Sequence, residues 1–184
     1  MNRLFIITPC IRPENLSKVE ASIPEGAIWC VIYDEGVEHT STPRANYILQ
    51  NPKRNRVIGK HEDCTVRNYG FDNLPLQDGD WIYFLDDDNL MHPNFSDVRA
   101  LIDDQYVMIV FGQEYKGVKR FEPVTLKHCE IDGGAILVNW KFAKDLRWNN
   151  SRVADWFYIT ELSKRGPLKI VETIGSYYNK LREV

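Results

Sequence analysis

Cysteine is scarce in this 184-residue chain, and the four present, Cys10, Cys30, Cys64 and Cys129, form no Cys-x-x-Cys pair. That spacing argues against a disulfide framework or a zinc site, and reduced thiols in a cytosolic enzyme are the simpler account. Long apolar runs are missing too: none approaches the roughly 20 residues needed to cross a bilayer. Seating on a membrane surface stays open, because a peripheral enzyme needs no spanning helix. The opening run Leu4 to Thr8 is too short for a signal peptide and reads as a first strand. There is no basic excess, with 23 Lys and Arg against 26 Asp and Glu, a net charge of −3 and a pI near 5.8. This argues against a nucleic-acid partner. Gly-x-Ser-x-Gly, the phosphate-binding Gly-x-x-x-x-Gly-Lys-Ser/Thr and His-Glu-x-x-His do not occur, and His39, His61, His92 and His128 are scattered.

What is present is an ordinary globular composition, 43% hydrophobic and 27% charged, long enough for a single domain with a proper core. Its first half alternates. Strands are expected at Leu4 to Thr8, Ala27 to Tyr33, Arg56 to Gly59 and Trp81 to Leu85, with helices at Pro13 to Ser22 and Cys64 to Phe71. The polar stretch Val37 to Asn55 reads as irregular. This order predicts an α/β fold built on a parallel sheet with covering helices. Beyond residue 90 the order loosens. Helices are expected at Pro93 to Ile102 and Val153 to Lys164, and strands at Tyr106 to Phe111, Ala135 to Val138 and Leu168 to Val171. Val118 to Val124 reads as part of a hairpin.

The sharpest feature is Asp86-Asp87-Asp88, directly behind the apolar run Trp81-Ile82-Tyr83-Phe84-Leu85 and followed by Asn89. Three like charges at the end of a buried strand repel unless a cation sits among them. Hard divalent cations take oxygen ligands and often share one or two carboxylates with substrate phosphates. A solvated acidic turn is the plainer alternative. In open α/β sheets ligands bind beyond the carboxyl ends of strands, so Thr8-Pro9, Asp34 and Asp86 to Asp88 are expected to converge on one crevice. Asp34 there would accept an N–H of a base, or simply hold a turn. Arg67 would neutralise a diphosphate, hold the aspartates in register, or form a surface ion pair. Asp132-Gly133-Gly134 would admit a ligand close to the backbone, or form a hairpin turn. Asp155, at the start of a helix, suits the helix dipole and equally suits a general base for an acceptor hydroxyl. Trp140, Trp148 and Trp156 are candidates for stacking on sugar faces or for core packing.

The segments Ile7-Thr8-Pro9…Arg12-Pro13-Glu14-Asn15-Leu16, Trp29 to Asp34, Val66-Arg67-Asn68-Tyr69-Gly70-Phe71 and Tyr83 to Asn89 occur in an order that resembles the GT-A glycosyltransferases. The likeness is to the inverting family-2 enzymes and the family-43 glucuronyltransferases. The resemblance implies a GT-A (nucleotide-diphospho-sugar transferase) fold, a mixed, mostly parallel sheet flanked by helices. Residues 1–90 would form a nucleotide-binding half and residues 91–184 an acceptor-binding half. It implies a nucleotide-sugar donor, usually UDP-linked, a divalent Mn²⁺ or Mg²⁺, and a glycan or lipid-linked acceptor. Carried over by position, Thr8 and Asp34 contact the base, and Asp86 lies near the ribose. Pro9, Arg12, Arg67 and Asp87 line the nucleotide site, and Asp88 binds the metal. Asp132, Gly133, Gly134 and Trp156 form the acceptor side. Asp155 is the base, where family-43 enzymes use glutamate. The family's carboxyl-terminal histidine has no counterpart here, and Tyr177 to Lys180 is the segment that would replace it.

Two rival functions belong beside this one. A sugar nucleotidyltransferase would carry a glycine-rich loop after the first strand, and Thr8-Pro9-Cys10-Ile11-Arg12-Pro13 has no glycine. A glycosyltransferase-like binding module would keep ligand recognition and lack turnover.

Overall fold

The computed structural model describes residues 2–42, 44–52, 63–120 and 131–182. Its centre is a mixed sheet. The strands are β1 (Leu4–Cys10), β2 (Ile28–Tyr33), β3 (Tyr47–Gln50), β4 (Trp81–Phe84), β5 (Leu90–Met91), β6 (Met108–Tyr115), β7 (Val118–Lys119), β8 (Ile136–Asn139) and β9 (Leu168–Tyr177). Their spatial order is β3-β2-β1-β4-β8-β6-β9-β5, with β7 hairpinned onto β6. The strands from β3 to β4 run parallel. β8 is antiparallel to both β4 and β6, and β9 returns parallel to β6.

The central strands read as continuous apolar runs because both faces of the sheet are covered. Successive side chains alternate between two cores. Phe5, Ile7, Ile82 and Phe84 point to one face, where they meet helix α2 (Asp63–Asn73), the short α4 (Trp140–Ala143) and α5 (Ala154–Ser163). Leu4, Ile6, Trp81 and Tyr83 point to the other, against α1 (Leu16–Ser22) and α3 (Phe95–Arg99). Gly70 on α2 lies against the sheet so closely that a Cβ there would stand 2.6 Å from Ile32 Cδ1.

Several expectations need correction. The stretch expected to be irregular contains β3, an edge strand whose alternating half-buried and exposed residues pair with β2. Pro52 follows it beyond Asn51, which leaves its ladder intact. The strand expected at Arg56 to Gly59 lies outside the described residues, as does the hairpin expectation beyond Arg120. α3 is shorter than Pro93 to Ile102, and α4 was not anticipated. β9 continues six residues past Val171, through a bulge opposite Gly112. That extension carries the chain across the sheet to the carboxyl end of β4.

Candidate active site

The cleft lies where the open-sheet rule puts it, beyond the carboxyl ends of β1, β2 and β4. A depression lined by Pro9, Cys10, Arg12, Asp34 and Asp86 to Asp88 adjoins a cavity of about 170 Å³. That larger cavity holds Arg67, Asp86, Asp88, Asp132, Asp155 and Arg182 on its walls. A third depression, lined by Arg120, Asp132, Arg152, Asp155 and Trp156, opens beside it. The three strand ends therefore do converge, and Asp132, Asp155 and Trp156 lie on the far side of the same cleft.

The three consecutive aspartates have separate positions. Asp86 is half-buried, and its Oδ1 accepts from Arg67 Nη2 at 2.9 Å. Asp87 turns the other way, toward the loop after β1. Its Oδ2 accepts the backbone N–H groups of Ile11 (2.6 Å) and Arg12 (2.7 Å), and its Oδ1 accepts from the Arg12 guanidinium. Burial pushes the Asp87 carboxyl up to about 6 against those bonds. Its acceptor capacity is committed to the protein, so it ties two loops together. Asp88 is 2% exposed and its Oδ2 is shared by Arg12 Nη1 at 3.1 Å and by Arg182 Nε.

Other expected residues divide in the same way. Asp34 is buried on the cleft wall, and its Oδ1 accepts the N–H of Glu35 at 2.9 Å. Thr8 lies one residue short of the cleft, fully buried, and its hydroxyl accepts from the Trp29 indole at 3.0 Å. That hydroxyl belongs to the core. Trp140 packs against Phe71 at 5.1 Å between centroids. Trp148 is stacked on Tyr158 at 4.2 Å and 5° and also lies beneath Arg67. Both are wall material, and only Trp156 reaches a depression. His92 packs on Tyr177, away from the aspartates.

Arg67 lies 5% exposed between Asp86 and Asp155, with Nη1 donating to Asp155 Oδ1 at 3.0 Å. Its guanidinium stacks over the Trp148 and Phe84 rings, at 4.7 and 5.4 Å. Against this guanidinium lies the turn Asp132-Gly133-Gly134, where a Cβ on Gly133 would come within 3.4 Å of Arg67 Nη1. Asp132 Oδ1 accepts from Gly134 N at 2.8 Å, while the Gly134 carbonyl accepts from Tyr83 Oη and Ser176 Oγ, each at 3.0 Å. A Cβ on Gly133 would stand 3.1 Å from both Asp155 Oδ1 and Trp148 Cη2. Burial, together with the charges of Asp155 and Asp86, pushes the Asp132 carboxyl up to about 6.

Residues that sequence reasoning missed come from the carboxyl-terminal segment and the loop before α5. Asn89 Oδ1 accepts the backbone N–H of Asn179 at 2.7 Å, and the Asp88 carbonyl accepts that of Leu181 at 2.9 Å. These bonds lay Tyr178, Asn179 and Arg182 over the cleft. Arg152 lines two of the three depressions. Only the position of Tyr177 to Lys180 was signalled, by its proposed replacement of a missing histidine. No group of three potential metal-ligating His, Cys, Asp or Glu side chains occurs among the described residues.

No family model matches the sequence, and no curated protein does. Solved structures of S. aureus TarS do resemble it. TarS 1–349 is 12% identical with a TM-score of 0.66, covering 95% of this chain and 60% of that one. A TarS structure at 13% identity has a TM-score of 0.70 and covers 95% and 36%. TarS 1–349 in complex with UDP-GlcNAc is 12% identical, with a TM-score of 0.71 and coverage of 96% and 58%. The chain thus spans less than two thirds of the length of each of these. At such identity the likeness is one of fold and singles out neither family 2 nor family 43. The chain has the α/β fold that its motifs lead one to expect, a mixed sheet flanked by helices of the GT-A kind, and shares it with TarS.

Proposed function

We propose that the protein is an inverting, metal-dependent glycosyltransferase that moves a sugar from a UDP-linked donor to a hydroxyl of a saccharide or lipid-linked acceptor. The observation that carries the reading is the pair of acidic centres on one cavity. Asp86 and Asp88 stand at the strand end and Asp155 at the helix start, with Arg67 bonded to both sides. The donor class is supported by the shared fold, since a TarS structure of that fold is a complex with UDP-GlcNAc.

Asp88 is the residue that would hold a hard divalent cation, through the one carboxylate oxygen it has to offer. Its Oδ2 is held by two guanidinium groups, while Oδ1 carries no hydrogen bond among the described residues. One carboxylate oxygen, completed by diphosphate and water, is a usual environment for Mg²⁺. A cation bound there would supply charge stabilisation to the departing diphosphate.

In this reading Asp34 and the loop from Pro9 to Arg12 receive the base and ribose, with Asp86 beside them. The acceptor hydroxyl enters from the side of Asp132, Gly133, Gly134 and Trp156. Asp155 takes the hydroxyl proton as the oxygen forms its bond to the anomeric carbon. The bond from that carbon to the phosphate oxygen breaks on the opposite face, and its electron pair leaves with the nucleoside diphosphate. Arg67 fixes Asp155 in position through its bond to Oδ1.

Calorimetric titration with nucleoside diphosphates, first with Mn²⁺ and then with chelator, tests the reading. Metal-strengthened binding of UDP, weakened in Asp88→Ala, is the expected result. No nucleotide binding with metal present overturns it. Binding without sugar transfer or donor hydrolysis would identify a binding module instead.

A further inference from the structure

We propose that the rim of the depression between Arg120 and Trp156 is a docking surface for an anionic phospholipid bilayer. Among the described residues five large apolar side chains stand exposed, and three of them, Tyr115 (37%), Val118 (67%) and Phe157 (47%), are carried by the two elements that flank this depression. One element is the β6–β7 hairpin, which Arg120 follows directly. The other is the start of α5, with Arg152 just before it and Trp156 in its first turn. Arg120, Arg152 and Trp156 line the depression itself.

Tyr115 and Val118 are cross-strand partners, so their side chains leave the same face of the hairpin. Arg120, two residues on, shares that face: its guanidinium lies 3.7 Å from the Tyr178 ring centroid, and Tyr178 meets Tyr115 at 5.9 Å. The other ladder pair, Glu114 and Lys119, leaves the opposite face. The hairpin is held in place by Tyr178 N, which donates to the Glu114 carbonyl at 2.8 Å, and by Arg120 N, which donates to that of Gln113 at 2.8 Å. Its two turn residues, Lys116 and Gly117, have φ of 53° and 77°, the backbone that tight hairpins favour. A tied hairpin thus carries its most exposed apolar residue at its tip, beside a lysine.

The exposed charge on this rim is basic. Lys116 and Arg152 are exposed and make no ion pair or hydrogen bond among the described residues. The carboxylates nearby are accounted for: Asp132 and Asp155 lie inside the depression, and Glu161, one turn beyond Phe157, pairs with Lys164. In a chain of net charge −3 this is a local reversal of sign. Cations suit anionic headgroups, and aromatic side chains suit the boundary between headgroups and acyl chains. A soluble polyanion would satisfy the cations and leave Val118 and Phe157 in water, so a bilayer is the partner that uses both. Seated in this way, the depression faces the membrane. Under the transferase reading, and only under it, a lipid-linked acceptor then reaches Asp155 without leaving the bilayer.

The test is flotation of the whole chain with extruded vesicles, of phosphatidylcholine alone and of an equal mixture with phosphatidylglycerol. No nucleotide or metal is added, so the result is independent of the transferase reading, which stands or falls on its own titration. The unmodified protein should float with the anionic mixture, far less with phosphatidylcholine alone, and less again in high salt. Lys116→Gln should weaken partitioning roughly fivefold, and Val118→Asp and Phe157→Ser roughly tenfold each. Ile48→Ser, at an exposed apolar residue on the distant edge strand β3, should change nothing, and unchanged denaturation midpoints show that the variants are folded. No flotation, or flotation indifferent to Val118→Asp and Phe157→Ser, overturns the proposal. So does equal binding of soluble dextran sulfate that Val118→Asp leaves intact, which would mark a polyanion site. Concentration-dependent dimers that Val118→Asp abolishes, in protein that does not float, would assign the rim to a second copy and overturn it too.

Discussion

Arg67 and Asp155 meet at 3.0 Å across 88 residues of sequence, and the same guanidinium holds Asp86 at 2.9 Å with its other terminal nitrogen. A side chain buried to this degree is expensive to leave charged unless it is paired. Here two carboxylates and two aromatic faces, those of Phe84 and Trp148, surround it. The pairing makes Arg67 the strut between the donor end of the cleft and the candidate base.

Two substitutions separate the strut from the base. Asp155→Asn should reduce transfer by about 10²- to 10⁴-fold, the usual contribution of a general base, with nucleotide affinity nearly intact. Arg67→Ala should lose both transfer and nucleotide affinity, because it frees Asp86 as well. Arg67→Lys should recover little, since an ammonium cannot bridge two carboxylates as a fork. Steady-state rates and calorimetry on the three variants check this, and wild-type turnover in Asp155→Asn removes it from the role.

Gly133 offers a steric test of the same corner. A Cβ there would stand 3.1 Å from both Asp155 Oδ1 and Trp148 Cη2, so one of them must shift. Gly133→Ala should therefore lower kcat more than it weakens UDP binding, because the Cβ presses on Asp155 more closely than on Arg67 Nη1, which it would approach to 3.4 Å. A parallel loss of nucleotide binding would place Gly133 in a different part of the site.

The sequence made local facts legible and left convergent ones hidden. Trp81 to Leu85 announces a strand by its own composition, and the carboxylates after it follow by adjacency. Which aspartate faces the cleft does not follow, because neighbouring side chains point apart; Asp87 went to the loop of Ile11 and Arg12, and Asp88 to Arg182. Thr8 reads as the end of a strand, but its burial under Trp29 is decided by the neighbouring strand. Arg182 was hidden because Gly175 and Ser176 obscure the continuation of β9, which is sustained by pairing with β6. Close approach also shortens what sequence can say: Gly133 and Gly134 signal a turn, and only packing reveals what that turn touches.

Asp87 should matter for stability. Its removal orphans two backbone N–H groups and leaves the Arg12 guanidinium sharing Asp88 with Arg182. Asp87→Ala should cost about 2–4 kcal/mol, visible as a lower denaturation midpoint with an unchanged slope. Asp34→Ala, at a turn with one bonded carboxylate oxygen of 2.9 Å, should cost less. Equal midpoints for Asp87→Ala and the unmodified protein would mean that the two loops are held by other contacts.

The pH dependence follows from Asp132, raised by burial and by the charges of Asp155 and Asp86 from 3.8 to about 6. Between those values the folded chain keeps a proton that the unfolded chain has released, so stability falls as pH rises through that window and levels off above it. Asp87, also raised to about 6 by burial, adds in the same direction. Thermal midpoints should therefore decline from about pH 4 to about pH 6, and Asp132→Asn should flatten part of that decline. Transfer should run the other way. Once Asp132 is ionised it holds Arg120, 3.5 Å from its Oδ2, and fixes the turn that faces Asp155 through its bond to Gly134. The rate should rise with pH through about 6, and Asp132→Asn should lose that limb. Rate profiles for the two proteins decide the matter: coincident limbs would show that Asp132 does not set the acid side of the reaction.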